Sequence, residues 1–189
     1  MTVMPAPVFN ETKFRELVLY AASRCWNLPY YGKTKLYKIL FYSDFDSYKL
    51  RGQSITGTEY LAWEHGPVPD GQQRRMIESG MSGDLVLQTL GKEQRYIPLR
   101  EPDKDVFSGE EMDIINAAID KVKDDTADGV SKRSHADSLG WLAAYTEHDA
   151  TGQQVTIPYD TVFVSNRRVD EFEELKLLEW VQRHGDLGR

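Results

Sequence analysis

Residues 35–69 read KLYKILFYSDFDSYKLRGQSITGTEYLAWEHGPVP, and the rest of the chain is best understood outward from them. With Leu36 at the origin of a helical wheel, Tyr37, Leu40, Phe41, Phe45 and Tyr48 spread over one broad side, and Lys35, Lys38, Asp46 and Lys49 fall opposite. The pattern predicts a helix from residue 33 or 34 to residue 50. Gly52 stands just past its end, where a left-handed C-cap suits glycine. Asp44 breaks the scheme, because it projects between Tyr37 and Leu40, inside the apolar arc. A buried carboxylate is costly unless it is bonded. It either grips a basic group on a partner or accepts bonds from turn N–H groups or an Arg, Trp or Tyr donor inside the fold. The second reading is favoured, since buried polar groups are usually satisfied internally. Residues 54–57 then read as a turn and 59–64 as a short strand. Gly66, Pro67, Val68 and Pro69 read as a rigid bend, since each proline fixes φ and drives its predecessor towards extended backbone. Asp70 is placed to cap a short helix to about residue 79.

Towards the N-terminus, residues 1–9 hold Pro5 and Pro7 and read as a flexible arm, and Asn10 caps a helix over about 11–26. Phe14, Leu17, Val18, Ala21, Ala22, Cys25 and Leu28 share one face at helical spacing, so Cys25 reads as a small buried hydrophobe. Residues 28–32 are a break. Further on, residues 85–90 and 95–99 read as a hairpin, expected to share one small antiparallel sheet with 59–64. Ser108 and Glu111, between Phe107 and Met112, form a capping box with a hydrophobic staple, opening a helix with Met112, Ile115, Ala118, Ile119 and Val122 inward. Residues 130–145 read as one or two short helices and 146–158 as polar turns, and 167–184 as an amphipathic helix. The expected organisation is the arm 1–9, one α+β, mainly helical domain over 10–160 with a small antiparallel sheet, and an extension over 161–189.

The 189 residues carry a formal net charge of −7, which disfavours non-specific binding to nucleic acid and suits a basic partner. One cysteine excludes an intrachain disulfide and a cysteine zinc cluster, so a reducing cytoplasm is the expected compartment. The first residues lack the basic and apolar regions of a secretory signal, and no apolar run approaches the ~20 residues of a membrane span.

Lys35-Leu36, Tyr42-Ser43-Asp44-Phe45, Ile55-Thr56-Gly57, Tyr60 and His65-Gly66-Pro67-Val68-Pro69 together resemble the core of the Panacea domain, the SocA-like antitoxin family. Ser134-His135, Trp141 and Ile157-Pro158-Tyr159 resemble later features of the same family, so the likeness spans about residues 12–160. Two positions depart from its pattern. Arg133 stands where leucine is usual and Gly140 where alanine is usual, so the packing of residues 131–142 is expected to differ locally. The resemblance implies a mostly helical, non-enzymatic protein without cofactor that neutralises a cognate toxin by direct contact. Some members couple the toxin to a protease.

Among candidate site residues, Tyr30 and Tyr31 lie in a break and Tyr42 projects off the apolar face, so all three read as interface anchors. Together with His65, Gly66, Pro67, Val68, Pro69 and Asp70 they mark the expected contact surface. His65, His135, His148 and His184 include no i, i+4 pair, and no metal site is expected. Two alternatives use other chemistry: a small-substrate hydrolase built on Asp44, His65 and His135, and a DNA-binding regulator. No nucleotide, nucleophile-elbow or redox-cysteine motif supports the first, and the charge opposes the second.

Overall fold

The computed structural model describes residues 7–91 and 93–164. The helices are α1 (Glu11–Cys25), α2 (Lys33–Arg51), α3 (Gly71–Glu78), α4 (Gly109–Val122), α5 (Ala127–Asp137) and α6 (Leu139–Thr151). The strands are β1 (Tyr60–Trp63), β2 (Gly66–Pro69), β3 (Leu85–Leu90) and β4 (Glu93–Pro98), so the class is α+β and mainly helical. The amphipathic helix expected over 167–184 lies outside the described residues.

Helix ends fall where local chemistry places them. Asn10 accepts a bond from the Lys13 N–H, Asp70 from Gln72 and Gln73, and Gly52 closes α2 with φ of 72°. Ser108 and Glu111 form the reciprocal capping box. Glu111 does more than cap: Lys13 of α1 and Arg51 of α2 both donate to it, which ties three helices through one buried carboxylate. The expected arm is anchored at its far end, since Phe9 packs edge-on against Phe14 and Asn10 N–H donates to Thr56 O.

Helix α2 is the axis of the core and touches α1, α4, α5 and β2. The polar face expected for it is therefore largely absent: Lys35 and Lys38 are as buried as Leu36 and Leu40. Lys35 Nζ donates to the Lys123 carbonyl at the end of α4, where a cation complements the helix dipole. Cys25 is buried as expected, and burial pushes its thiol up to about 11.

The strands form two separate ladders, not one sheet. β3 pairs with β4, while β1 pairs with β2 and is flanked on its other side by residues 155–157. Gly66, Pro67, Val68 and Pro69 are thus a strand and not a bend. Side-to-side alternation explains why the ladder tolerates two prolines. Asp70 N–H donates to Glu59 O, so the even-numbered N–H groups face β1, and Pro67 and Pro69 lack theirs on the outer edge.

Both departures from the family pattern have local partners. Arg133 Nε donates to Asp125 just before α5, at 2.7 Å. Gly140 is packed so closely that a Cβ there would run into Thr161 Oγ1 and lie 3.0 Å from Ile157 Cγ2. We predict that Gly140→Ala destabilises the protein by about 1–3 kcal/mol. Thr161→Gly should recover at least ~0.5 kcal/mol of that loss in a double-mutant cycle followed by urea denaturation. Strict additivity would refute the packing account.

Candidate functional site

The hairpin β1–β2 carries an exposed part of the motif region. Its turn residues Glu64 and His65 are exposed, and Trp63 is 40% exposed. Residues from four helices hold this hairpin. Lys38 Nζ of α2 donates to Pro67 O at 2.8 Å. Trp141 Nε1 of α6 donates to Trp63 O at 3.0 Å. Arg74 of α3 places its guanidinium 4.6 Å from the Trp63 ring centroid. Ser134 of α5 abuts Gly66, whose φ of +94° suits glycine. A side chain at Gly66 would strike the Ser134 hydroxyl and lie 2.8 Å from Lys38 Cε.

Asp44 anchors the base of the same hairpin. It is wholly buried and accepts from Thr56 N–H (2.7 Å), Thr56 Oγ1 (2.6 Å) and Tyr60 Oη (2.8 Å). Burial pushes its carboxyl up to about 6, and the Thr56 and Tyr60 bonds limit the rise. Of the two readings of this acid, the internal one agrees with the geometry. Phe45 stacks on Tyr159, whose hydroxyl donates to Thr58 O, so the motif's Asp-Phe pair grips the loop before β1 from two sides. Gly57 has φ of +69°, and the backbone of Val8 and Phe9 lies directly against it.

The grouping of Asp44, His65 and His135 as a reactive set is not formed. The oxygens of Asp44 are committed to Thr56 and Tyr60, His65 stands on an exposed turn, and His135 stacks on Trp141 with ring centroids 3.6 Å apart. Burial, and then the charges of Lys38 and His65, hold the His135 imidazole below its ordinary pKa. Its Nε2 is buried with no hydrogen-bond partner among the described residues. No group of three or more metal-binding side chains occurs among the described residues, and no described helix is long and apolar enough to cross a membrane.

The expected anchors separate into two kinds. Tyr30 is 55% exposed and sits in the left-handed region at φ of 58°, an outlier for an aromatic residue. Tyr31 is 0% exposed and belongs to the core, so it cannot be a surface anchor. Tyr42 is also buried: its hydroxyl donates to Asp137 and Lys121 Nζ lies 4.1 Å from its ring centroid. The wheel misplaced Tyr42 for the same reason as the lysines, since α2 has neighbours on nearly every side. What the structure does bring together is Tyr30 and the hairpin, on either side of Lys33 and Thr34. Tyr30 lines a recess of about 350 Å³ with Lys33, Thr34 and Gln94. A second cleft of about 350 Å³ lies between Lys33, Thr34 and Lys38 on one side and Trp63, His65 and Val68 on the other, with Arg74 at its wall. Sequence reading missed Lys33, Lys38, Trp63 and Arg74. Trp63 had a signal, a tryptophan one residue before a two-residue turn, but the burial of Lys38 had none.

Residues 36–142, more than half of the chain, match the family described as antitoxin SocA-like, Panacea domain. No curated protein and no solved structure matches the chain. The matched residues include Asp44, the whole β1–β2 hairpin, Ser134, His135 and Trp141.

Proposed function

The chain belongs to the SocA-like antitoxin family of Panacea domains, and from that premise we propose that it neutralises a toxin protein by direct, non-covalent masking in the cytoplasm. One observation carries this reading. Buried polar groups of α2 and α6 hold the hairpin and the loop before it: Asp44 bonds to Thr56 and Tyr60, Lys38 to Pro67, and Trp141 to Trp63. None is arranged as a nucleophile with a base. A rigid scaffold that presents an exposed turn with a half-exposed tryptophan suits recognition, because buried aromatic anchors dominate the energetics of protein interfaces. Tyr30, Trp63 and His65 would enter the interface, and Gly66, Pro67, Val68, Pro69 and Asp70 would hold the turn in place. Handing the bound toxin to a protease would need a second surface, which this reading leaves unassigned.

The test is expression of the open reading frame adjacent to the one encoding this chain, alone and together with the chain. Growth arrest by the neighbour alone, relieved on co-expression and accompanied by co-purification of the two proteins, is the expected result. Arrest that persists on co-expression would refute neutralisation for that pair.

A further inference from the structure

We propose that the cleft between the first turns of α2, the β1–β2 turn and Arg74 of α3 receives an acidic segment of the protein partner that carries an apolar side chain beside its carboxylates, an inference that rests on the antitoxin reading above. The chain as a whole is acidic, with a net charge of −7, yet this cleft is locally cationic. Lys33 and Lys38 come from α2 and Arg74 from α3, against Glu64 in the lining and Glu78, which lies 3.7 Å from Lys33. The cation set therefore comes from two elements and is a property of the fold, not of one charged helix face.

Arg74 is the main recognition group. Its guanidinium lies over the Trp63 ring, and among the described residues no carboxylate pairs with it. Stacking on an aromatic face leaves the N–H edge of a guanidinium free for two parallel bonds to a carboxylate. Lys38 is only 1% exposed yet lines the cleft, and its single protein acceptor among the described residues is Pro67 O. An ammonium has three donors, so a carboxylate entering the cleft would reduce the burial penalty of this one. Val68, Tyr37 and the open part of Trp63 supply apolar surface for a neighbouring Leu or Phe of the segment. The overall charge and the local charge act at different ranges: the first steers a basic partner, and the second selects which part of it makes contact.

The test uses the full chain in two arms. In the first, fluorescence anisotropy follows a labelled nonapeptide of Asp and Glu around a central Leu-Phe pair, beside a counterpart with Lys at every acidic position. The acidic peptide should bind saturably and the basic one should not. Arg74→Glu and, separately, Lys33→Glu should each weaken binding at least tenfold, with melting curves confirming that both variants fold. Lys49→Glu, the same charge change outside this cleft, should leave affinity unchanged. Equal binding of the two peptides, no binding, or equal losses from all three variants would overturn the proposal. A gain in affinity on changing Glu173 and Glu174 to Lys would give the cleft to the chain's own tail, and a dimer dissociated by Arg74→Glu would give it to a second copy; either result overturns the partner assignment. In the second arm, the same variants are co-expressed with the neighbouring toxin. Loss of relief with Arg74→Glu and Lys33→Glu, but not with Lys49→Glu, supports the cleft. Full relief by all three sinks the cleft but leaves the antitoxin reading standing. If the unaltered chain gives no relief, the antitoxin reading fails, and the peptide arm alone decides whether the cleft takes acidic segments.

Discussion

Replacing Asp44 with Ala is expected to lower the unfolding free energy by about 3–5 kcal/mol at pH 7, since several buried donors lose their acceptor in one step. Those donors are the Thr56 N–H, the Thr56 hydroxyl and the Tyr60 hydroxyl. The Thr56 hydroxyl can turn to Thr58 Oγ1 at 2.8 Å, but the Thr56 N–H and the Tyr60 hydroxyl have no such recourse among the described residues. Asp44→Asn keeps the volume and one carbonyl oxygen, so its loss should be smaller, about 1.5–3 kcal/mol. The two variants also carry a pH signature. Burial raises the folded carboxyl to about 6, above the unfolded value of ~3.9, so between these values the folded state holds more protons than the unfolded one. The pH-dependent part of the contribution of Asp44 is therefore fully present below pH ~3.9 and is lost as pH rises through about 6, while its bonds from Thr56 and Tyr60 remain. The asparagine does not titrate. The gap between the natural protein and Asp44→Asn should thus be wider at pH 4.5 than at pH 7.5, by about 1–2 kcal/mol. Urea denaturation of both proteins at the two pH values measures this, and a gap that widens towards pH 7.5 would contradict the burial assignment.

How far the chain is legible before its structure is known depends on whether a residue's partner is local. Asn10, Gly52, Asp70 and the Ser108–Glu111 box were readable because each acts within one turn of its own helix. The core face of α2 was readable from its period, and the internal role of Asp44 from its place on that face. The polar side of α2 was misread because a helical wheel assumes that one side meets water. Lys35 reaches Lys123 O and Lys38 reaches Pro67 O, and acceptors 88 and 29 residues away leave no trace in the local pattern. Tyr30 and Tyr31 are neighbours with opposite fates, because the left-handed backbone at Tyr30 reverses the chain between them. The prolines of the Gly-Pro-Val-Pro stretch suggested a bend. Only the pairing partner, β1, shows that their missing N–H groups fall on the free edge. The site was half legible in the same way: the aromatic at position 30 and the turn at position 65 were singled out, while the basic residues that join them were not.

Lys38→Met offers the second large effect, and its sign changes with pH. Burial lowers the Lys38 ammonium to about 7 in the folded state, whereas an unfolded lysine titrates near ~10.4. Between these values the unfolded state binds more protons, so the stability of the natural protein must rise as pH increases across that window. Methionine copies most of the lysine stem without a charge and has no such dependence. The difference in stability, variant minus natural, should therefore fall by on the order of 3 kcal/mol between pH 7 and pH 10. At pH 7 the variant should equal or exceed the natural protein, because relief of the buried ammonium outweighs the lost bond to Pro67 O. At pH 10 that relief has gone and the unsatisfied carbonyl remains, so the variant should be the weaker by about 1–3 kcal/mol. Guanidinium denaturation at pH 7, 8.5 and 10 decides the matter, and a difference constant across the three would show that Lys38 keeps its ordinary titration despite its burial. The same variant separates global stability from presentation of the hairpin. Lys38 is the tie between α2 and β2, so amide exchange at Trp63, Glu64 and His65 should speed up in Lys38→Met at pH 7 even where the whole molecule is no less stable. A turn that opens more often is a poorer template for a partner, because ordering it again is charged against binding. Neutralisation by Lys38→Met should accordingly weaken without any loss of fold. Were relief to stay intact while exchange at the turn rises, the hairpin would have no part in contact with the toxin.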